Sequence, residues 1–280
     1  MKYDCLIIEG GGFKTAFTAG VMDAFITADF RPFKKIIGIS GGSVALSYYM
    51  SGQYRYCINA MRYLAKDEQF ANYKRAFSEK GYLDIEYIAT VASQKVPLDL
   101  KLALKESKNI ETYIVATERS ECKATYLIPD KDTWIQAVIA SSTLPFATKG
   151  IHELAGKSYY DGGWSDPLPA KWAFSQGCES ILIVRTRPVD LRLKQSWANY
   201  FGAKYFKSQP KLSLNFETSF NIYNDSADYL QKPPKGVHID QIAPKNLLKS
   251  GTYMYSKKTL MLDYRYGLDK GINFLNKLKK

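Results

Sequence analysis

Short apolar runs alternate with helix-like segments through the first 190 residues of this 280-residue chain. Runs typical of buried strands occur at 3–9, 34–40, 111–117, 123–128 and 180–185. Segments with a helical pattern occur at 15–28, 42–51, 53–66, 84–93 and 132–142. Apolar strands that alternate with helices predict an α/β fold, in which helices cover both faces of a mostly parallel sheet.

Residues 188–236 break this alternation. The segment is rich in Tyr, Phe, Lys and Asn, and it ends in the rigid sequence KPPKG at 232–236. Another strand-like run follows at 237–242 and another helical pattern at 257–278. We therefore predict a single domain over residues 1–280, with 188–236 as an insertion or lid within it.

The composition excludes several classes of protein. With 46% hydrophobic and 24% charged residues, the chain is neither disordered nor fibrous. No apolar run approaches the roughly 20 residues needed to span a bilayer. The first residues enter a strand-like run without the apolar stretch of a secretory signal, so we expect a cytoplasmic protein. Four widely spaced cysteines argue against a zinc ribbon, a thioredoxin-type site and a disulfide framework, and the presence of only two histidines argues against a multi-histidine metal site.

The formal net charge of +12 is concentrated towards the C-terminus. Residues 185–211 carry a net charge of +6 and residues 245–280 a net charge of +7, which leaves the remainder close to neutral. Nucleic acid or an anionic membrane surface could use this bias, and so could solubility alone. No recognised nucleic-acid-binding module accompanies the charge, so we expect no nucleic-acid partner.

Residues 38–42 (GISGG) have the form G-x-S-x-G and stand between a predicted strand and a predicted helix. This context is typical of a nucleophile elbow, in which small residues such as Gly38 and Gly42 permit a sharp turn. The Ser40 hydroxyl would then point into the crevice above the strand ends. The following helix begins at the turn, and its N–H groups favour developing negative charge. A glycine-rich structural turn is the alternative interpretation.

A serine hydroxyl needs a neighbouring base to become a nucleophile. His238 could take the last place in the Ser, Asp or Glu, His order of α/β-hydrolases, but only one predicted strand precedes Ser40 and His238 lies within a strand-like alternation. His152 has no supporting motif. A carboxylate is the other candidate: Asp161 ends a strand-like run and is followed by Gly162 and Gly163, although this pattern alone indicates only a turn.

A third glycine-rich element, EGGGFKT, follows the first predicted strand and contains Gly10, Gly11, Gly12 and Lys14. Acyl transfer generates an oxyanion, which requires unobstructed backbone N–H donors about 3 Å away. Nucleotide binding is an alternative. However, Phe13 replaces the last glycine of a P-loop, and Thr15 replaces the last glycine of a dinucleotide-binding loop.

In this order, the glycine loop at 10–14, G-x-S-x-G at 38–42 and Asp-Gly-Gly at 161–163 resemble the patatin-like phospholipases, a family of lipid acyl hydrolases. The segments AVIASSTLP (137–145) and SDPLP (165–169) also resemble family sequences on either side of the catalytic aspartate. The resemblance is strong over residues 3 to 187 and weaker beyond. Family members usually carry glycine where Thr15 stands.

The resemblance implies a three-layer α/β/α fold and a Ser-Asp dyad without a catalytic histidine. Ser40 would be the nucleophile and Asp161 the general base. Gly10, Gly11, Gly12 and Gly41 would bind the oxyanion, while Lys14, Gly38, Gly42, Gly162 and Gly163 complete the motifs. The implied reaction is hydrolysis of lipid esters, of phospholipid or lysophospholipid, through an acyl-enzyme, with no metal or other cofactor. An inactive family member that serves as a membrane-binding module is a further alternative.

Residues 191–207 combine Trp, Tyr and Phe with Lys and Arg. Aromatic rings at headgroup depth and cations on anionic phosphates suit a segment that contacts an anionic membrane surface. Aromatic residues at helical spacing also commonly cover a core, and Gly202 weakens a helix. Both interpretations remain open at the level of the sequence.

Overall fold

The computed structural model describes residues 3–75, 81–148, 152–252 and 256–279. Its strands are β1 Cys5–Ile8, β2 Lys35–Ile39, β3 Glu111–Glu118, β4 Lys123–Leu127, β5 His152–Leu154, β6 Lys157–Asp161, β7 Ser180–Val184 and β8 His238–Ile242. Its α-helices are α1 Thr15–Thr27, α2 Gly41–Met50, α3 Tyr56–Leu64, α4 Tyr87–Thr90, α5 Leu100–Glu106, α6 Trp134–Ser142, α7 Ala170–Ser175, α8 Trp197–Tyr205, α9 Pro210–Gln231 and α10 Lys257–Leu278. Short 3₁₀ turns span Gly12–Lys14, Tyr73–Arg75 and Gly162–Trp164, and a π-helical turn spans Val91–Lys95.

The eight strands form one sheet with the order β5-β6-β3-β2-β1-β7-β8, and β4 pairs with β3. Strands β3, β2, β1, β7 and β8 are parallel, while β4, β5 and β6 pair in antiparallel fashion. Alternate residues of the central strands enter two different cores. Helices α1, α2, α3 and α10 cover one core, and α7 and α9 cover the other. The predicted three-layer α/β/α architecture with a mostly parallel sheet is confirmed.

Strand β3 is longer than its neighbours and carries three partners. Its first residues pair with β2, up to Ile39 opposite Val115, and its last three pair with β6, beginning at Asp161 opposite Ala116. Strand β4 pairs with β3 over both of these stretches and so occupies the other edge. Strands β2 and β6 therefore meet end to end along one edge of β3. This register places the residue after Ile39 next to Asp161.

Helices α1 and α10 cross in close contact, because glycine occupies the crossing point on both. A Cβ atom on Gly20 would lie 2.1 Å from the Tyr264 carbonyl oxygen, and one on Gly267 would lie 1.9 Å from that of Phe17. The buried Asp23 carboxylate of α1 accepts a 2.8 Å hydrogen bond from the Tyr264 hydroxyl. The C-terminal helix thus supports the helix that begins at the glycine loop.

Residues 188–236 contain two helices, α8 and α9, which the sequence interpretation did not predict. Gly202 does not interrupt α8. A Cβ atom there would lie 2.4 Å from the ring of Phe216, so glycine allows α8 to approach α9 closely. The low helix propensity of glycine is thus accompanied by a packing role for Gly202 between the two helices. Trp197, Phe201 and Tyr205 are 78%, 61% and 74% exposed, so these aromatic side chains do not cover a core.

The remaining predicted elements match the structure to within a few residues, with two differences. The predicted helix at 84–93 is divided into α4 and the π-helical turn that follows it. Helices α5 and α7 and strand β5 were not predicted. No helix in the described ranges is both long and apolar enough to cross a lipid bilayer.

Candidate active site

Ser40 occupies a sharp turn between β2, which ends at Ile39, and α2, which begins at Gly41. Its backbone dihedrals are φ +52° and ψ −129°, a conformation that an L-residue rarely adopts. Such strain costs about 1–3 kcal/mol and persists only where the surroundings enforce it. Ser40 therefore has the geometry expected of a nucleophile elbow.

The glycines on either side of Ser40 are required by close approach. A Cβ atom on Gly38 would lie 2.8 Å from the Cα atom of Ser43, and one on Gly42 would lie 2.2 Å from the carbonyl oxygen of Ile8. Atoms at these distances overlap. Side chains at 38 or 42 would therefore push the turn away from β1 and α2.

The backbone of Ser40 is anchored by Ser141, near the end of α6. The Ser141 hydroxyl accepts a 2.7 Å hydrogen bond from the Ser40 amide and donates a 2.5 Å bond to the carbonyl oxygen of Val115. Ser141 is fully buried. One hydroxyl therefore connects the turn to the central strand β3.

Asp161 is the last residue of β6 and is held from both sides. Its amide donates to the carbonyl oxygen of Thr143 at 2.7 Å, and its carbonyl oxygen accepts from the Thr117 hydroxyl at 2.8 Å. The chain then turns at Gly162, where a Cβ atom would lie 2.1 Å from the carbonyl oxygen of Val115. Glycine at 162 is thus needed for β6 to end beside β3.

The Asp161 carboxylate and the Ser40 side chain line the same cavity, where Ser40 favours the ionised carboxylate. The Oδ1 atom of Asp161 accepts a hydrogen bond from the Gly163 amide at 2.8 Å. Asp161 is 7% exposed and Ser40 is 9% exposed. Burial raises the pKa of Asp161 to about 6, although the neighbouring Ser40 side chain, the Gly163 amide and the charge of Arg187 lower it. A carboxyl group with this pKa is ionised at neutral pH and is a better base than an ordinary aspartate.

The glycine loop lies directly against the turn. A Cβ atom on Gly10 would lie 2.7 Å from both the Ile39 carbonyl oxygen and the Ser40 Cβ atom. Among the described residues, the amides of Gly10, Gly11 and Gly41 have no hydrogen-bond acceptor. Unpaired amides beside Ser40 are the donors that an oxyanion requires.

Gly12, Lys14 and Thr15 form the turn from this loop into α1. Gly12 has φ +57°, in the left-handed region that favours glycine, and begins a 3₁₀ turn that continues through Lys14. Burial and the neighbouring charge of Arg187 lower the pKa of Lys14. The buried Thr15 hydroxyl lies 2.2 Å from the position of a Cβ atom on Gly41 and has no hydrogen-bond partner among the described residues. Thr15 therefore fits here, and the path of the loop is compatible with the residue that departs from the family pattern.

Ser40, Asp161 and the glycine loop line one cavity of about 400 Å³ at the carboxyl ends of the central strands. Parallel sheets commonly bind ligands at this edge. One wall is apolar and belongs to the core beneath α1 and α2; it includes Val44, Met61, Leu64, Phe70, Leu83 and Ile88. A second wall comes from α8, α9 and the segment that precedes them. It includes Leu193 and Phe220, but most of its residues are polar: Arg187, Lys194, Ser196, Asn199, Ser219 and Tyr223.

Glu9 and Arg187 are site residues that the sequence interpretation missed. Glu9 precedes the glycine loop and is 1% exposed, and its Oε1 accepts a 2.6 Å bond from Nη1 of Arg187. Its Oε2 accepts a 2.7 Å bond from the Thr186 amide. An acidic residue that ends an apolar run was a visible signal, but its partner could be identified only once β1 and β7 were known to be neighbours.

Within the described part of the chain, neither His152 nor His238 is among the residues that line the cavity with Ser40. His238 is on β8 with a 53% exposed side chain and lies 2.9 Å from Asp240, as expected for a strand-surface residue. His152 is on β5, where its Nδ1 lies 2.8 Å from Oε1 of Glu86. The geometry thus favours the carboxylate over histidine as the partner of Ser40.

Comparisons with known proteins show which proteins this chain is similar to. The model of the patatin-like phospholipase family matches residues 6–174, and a domain of unknown function, DUF6363, matches residues 210–280. The uncharacterized protein YjjU of Escherichia coli (strain K12) is 31% identical over 277 residues, which cover 96% of this chain and 76% of the relative. The crystal structure of VipD from Legionella pneumophila aligns with a TM-score of 0.48 and 12% identity, over 99% of this chain and 67% of that chain. The chain is a member of the patatin-like phospholipase family.

Proposed function

We propose that this protein hydrolyses ester bonds of phospholipids or lysophospholipids through a Ser40–Asp161 dyad. The observation that carries the proposal is that the strained turn at Ser40 and the buried Asp161 carboxylate line one cavity, beside the unpaired amides of the glycine loop. Family membership supports lipid as the class of substrate. The nucleotide-binding alternative is weaker, since the loop lies against Ser40 and one cavity wall is apolar.

In the first half of the proposed reaction, Asp161 accepts the proton of Ser40 as Oγ attacks the ester carbonyl carbon. The carbonyl oxygen becomes an oxyanion, and in this proposal the amides of Gly10, Gly11, Gly12 and Gly41 stabilise it. The tetrahedral intermediate then collapses. The bond to the alcohol or lysolipid breaks, and the leaving oxygen takes the proton from Asp161.

In the second half, Asp161 removes a proton from a water molecule that attacks the acyl-enzyme. A second oxyanion forms at the same amides, the acyl–oxygen bond to Ser40 breaks, and Ser40 recovers its proton. The fatty acid then leaves. The apolar wall contributes by burying the acyl chain, at about 0.8 kcal/mol for each buried methylene group.

The test uses a fluorophosphonate probe and a lysophospholipid substrate with three variants. Ser40→Ala should lose both labelling and hydrolysis, and Asp161→Asn should label far more slowly. Ser208→Ala, at an exposed serine outside the cavity, should behave as the wild type. Folding of each variant is checked by circular dichroism and thermal unfolding. Full labelling of a folded Ser40→Ala variant would contradict the assignment.

A lipid substrate places the proposed reaction at a lipid surface. The outer face of α8 supports contact with an anionic surface of this kind. Trp197, Tyr200 and Phe201 form an exposed cluster with ring centroids 5.8 to 6.4 Å apart. Lys204 and Lys207 lie in and just after the same helix and are exposed. Exposed aromatic rings with flanking cations suit the headgroup region of a membrane.

Sedimentation with vesicles of increasing phosphatidylglycerol content tests this contact. Binding should rise with the fraction of anionic lipid, because lysines attract anionic headgroups, and it should fall with salt, because salt screens that attraction. The double variant Trp197→Ala, Phe201→Ala should bind more weakly. Leu102→Ala removes an apolar side chain that is 46% exposed on α5 and serves as the control. Binding that is unchanged in the double variant and does not depend on lipid charge would contradict the proposed contact.

A further inference from the structure

The polar wall of the cavity carries an unbalanced positive charge. Arg187 is neutralised by its 2.6 Å ion pair with Glu9. Lys194, on the same wall, is exposed and has neither an ion-pair partner nor a hydrogen-bond partner among the described residues. The wall therefore presents one net cation to a ligand in the cavity.

The hydroxyl groups on this wall are left as donors. The Ser196 hydroxyl accepts a 3.1 Å bond from the Asn199 amide, and the Ser219 hydroxyl accepts a 3.0 Å bond from Nδ2 of Asn199. Each hydroxyl thus uses an acceptor position within the protein and retains its own proton for donation. Two such hydroxyls and the Lys194 ammonium group line the same cavity and match a ligand that offers only acceptors, which is the chemistry of a phosphate group.

The segment that carries Lys194 is fixed in place. The preceding residue, Leu193, donates its amide to Oδ1 of Asn224 at 2.7 Å and accepts from Nδ2 of Asn224 at 2.9 Å. This two-point contact with α9 limits the backbone freedom of the neighbouring lysine. The cation is therefore presented from a constrained backbone and loses less entropy when it binds a ligand.

Ser40 and Asp161 line the same cavity as the apolar wall and the polar wall. A ligand with its scissile ester at Ser40 would place its acyl chain against the apolar wall and its other substituent against the polar wall. We infer that Lys194, together with the Ser196 and Ser219 hydroxyls, binds the phosphate group of an acyl-ester substrate and selects phospholipids over neutral glycerides. This inference rests on the proposed function and identifies what determines its substrate.

Short-chain substrates below their critical micelle concentration test the inference without a membrane surface. The pair is octanoyl lysophosphatidylglycerol and monooctanoylglycerol, which share the acyl ester and differ in the phosphate. The wild type should show a higher kcat/KM for the phosphate ester. Lys194→Glu should lower that preference by about tenfold, since a charged hydrogen bond is lost and a repulsion is added. Ser219→Ala should lower it by a smaller factor.

Lys235→Glu is the matched control, because it makes the same change of charge at an exposed residue of the segment 188–236 that does not line the cavity. Its preference for the phosphate ester should equal that of the wild type. Equal losses in Lys194→Glu and Lys235→Glu would mean that only the overall charge matters, and this would overturn the inference. An unchanged preference in Lys194→Glu would do the same.

Calorimetric binding to the Ser40→Ala variant separates this inference from the proposed hydrolysis. Octanoyl lysophosphatidylglycerol should bind more tightly than monooctanoylglycerol, and adding Lys194→Glu should remove the difference. Such binding by an enzyme whose wild type cleaves neither substrate would support the phosphate site and refute hydrolysis. Inorganic phosphate should bind at least tenfold more weakly, because it lacks the acyl chain. Equal binding of inorganic phosphate would refute recognition of a lipid.

Discussion

The hydroxyl of Ser141 accepts the backbone hydrogen bond of Ser40 at 2.7 Å and donates to the Val115 carbonyl oxygen at 2.5 Å. Ser40 lies beyond the last paired residue of β2, so its amide relies on the Ser141 hydroxyl for a hydrogen-bond acceptor. Ser141→Ala should leave two buried backbone groups without their partner and destabilise the protein by about 2–4 kcal/mol. Turnover should fall as well, because the nucleophile loses its anchor.

Ser142 provides the control, because its hydroxyl is buried and has no hydrogen-bond partner among the described residues. Removing an unsatisfied hydroxyl costs little, so Ser142→Ala should change the free energy of unfolding by less than about 1 kcal/mol. Urea denaturation followed by fluorescence compares the two variants. Equal stability of Ser141→Ala and Ser142→Ala would show that the anchor is unimportant.

The pKa of Asp161 predicts the pH dependence of catalysis. A general base must be deprotonated, and burial raises the pKa of Asp161 to about 6. The value of kcat/KM for a soluble ester should therefore fall below pH 7, with a midpoint near pH 6. An acid limb near pH 4, as in an exposed aspartate, would mean that Asp161 is not the base or is not desolvated.

The same pKa predicts a stability cost. Because the folded-state pKa is raised, ionisation of Asp161 disfavours the native state, and the penalty grows between about pH 4 and pH 6 and is fully present above that range. Asp161→Asn should raise the free energy of unfolding at pH 8 by about 1–3 kcal/mol while abolishing activity. The difference from the wild type should shrink towards pH 4. Burial also raises the pKa of Asp166 to about 6. Asp166 is present in both proteins, so its contribution to the difference in their free energies of unfolding cancels.

The sequence predicted the central strands and the positions of the three motifs because those features are local. Apolar runs bounded by glycine mark β1 and β2, and both boundaries agree with the structure to within two residues. The meeting of Ser40 and Asp161 was expected from the resemblance. Its physical cause is the pairing of β2 and β6 along one edge of β3, which no local pattern encodes.

Helix α9 had a local signal that the sequence interpretation missed. Its buried positions are spaced as one helical face, and they include Leu212, Phe216, Tyr223, Ala227 and Leu230. The surrounding Asn, Ser and Thr residues have low helix propensity and obscured the pattern. The polar wall of the cavity could not be predicted, because it depends on how α8 and α9 pack against each other and on their position beside β7.

The crossing of α1 and α10 predicts a strong effect far from the cavity. Gly267→Ala would force a Cβ atom to within 1.9 Å of the Phe17 carbonyl oxygen and should separate the two helices. We expect a loss of about 2–4 kcal/mol in the free energy of unfolding, in the upper range for a single substitution. Asn276→Ala, at an exposed position of α10, should be neutral or slightly stabilising. A Gly267→Ala variant as stable as Asn276→Ala would show that the close crossing is absent in solution.

Glu9 and Arg187 should tune the base in opposite directions. The positive charge of Arg187 favours ionised Asp161 and lowers its pKa, and Glu9 offsets that charge at 2.6 Å. Arg187→Gln should therefore move the acid limb of kcat/KM to higher pH, whereas Glu9→Gln should move it to lower pH.

Arg192→Gln alters a second arginine of the same segment, which pairs with Asp228 and does not line the cavity, and it should leave the limb unchanged. Both site variants remove one partner of a buried pair and should lose stability, so loss of stability alone cannot explain shifts of opposite sign. Shifts in the same direction would contradict the electrostatic account.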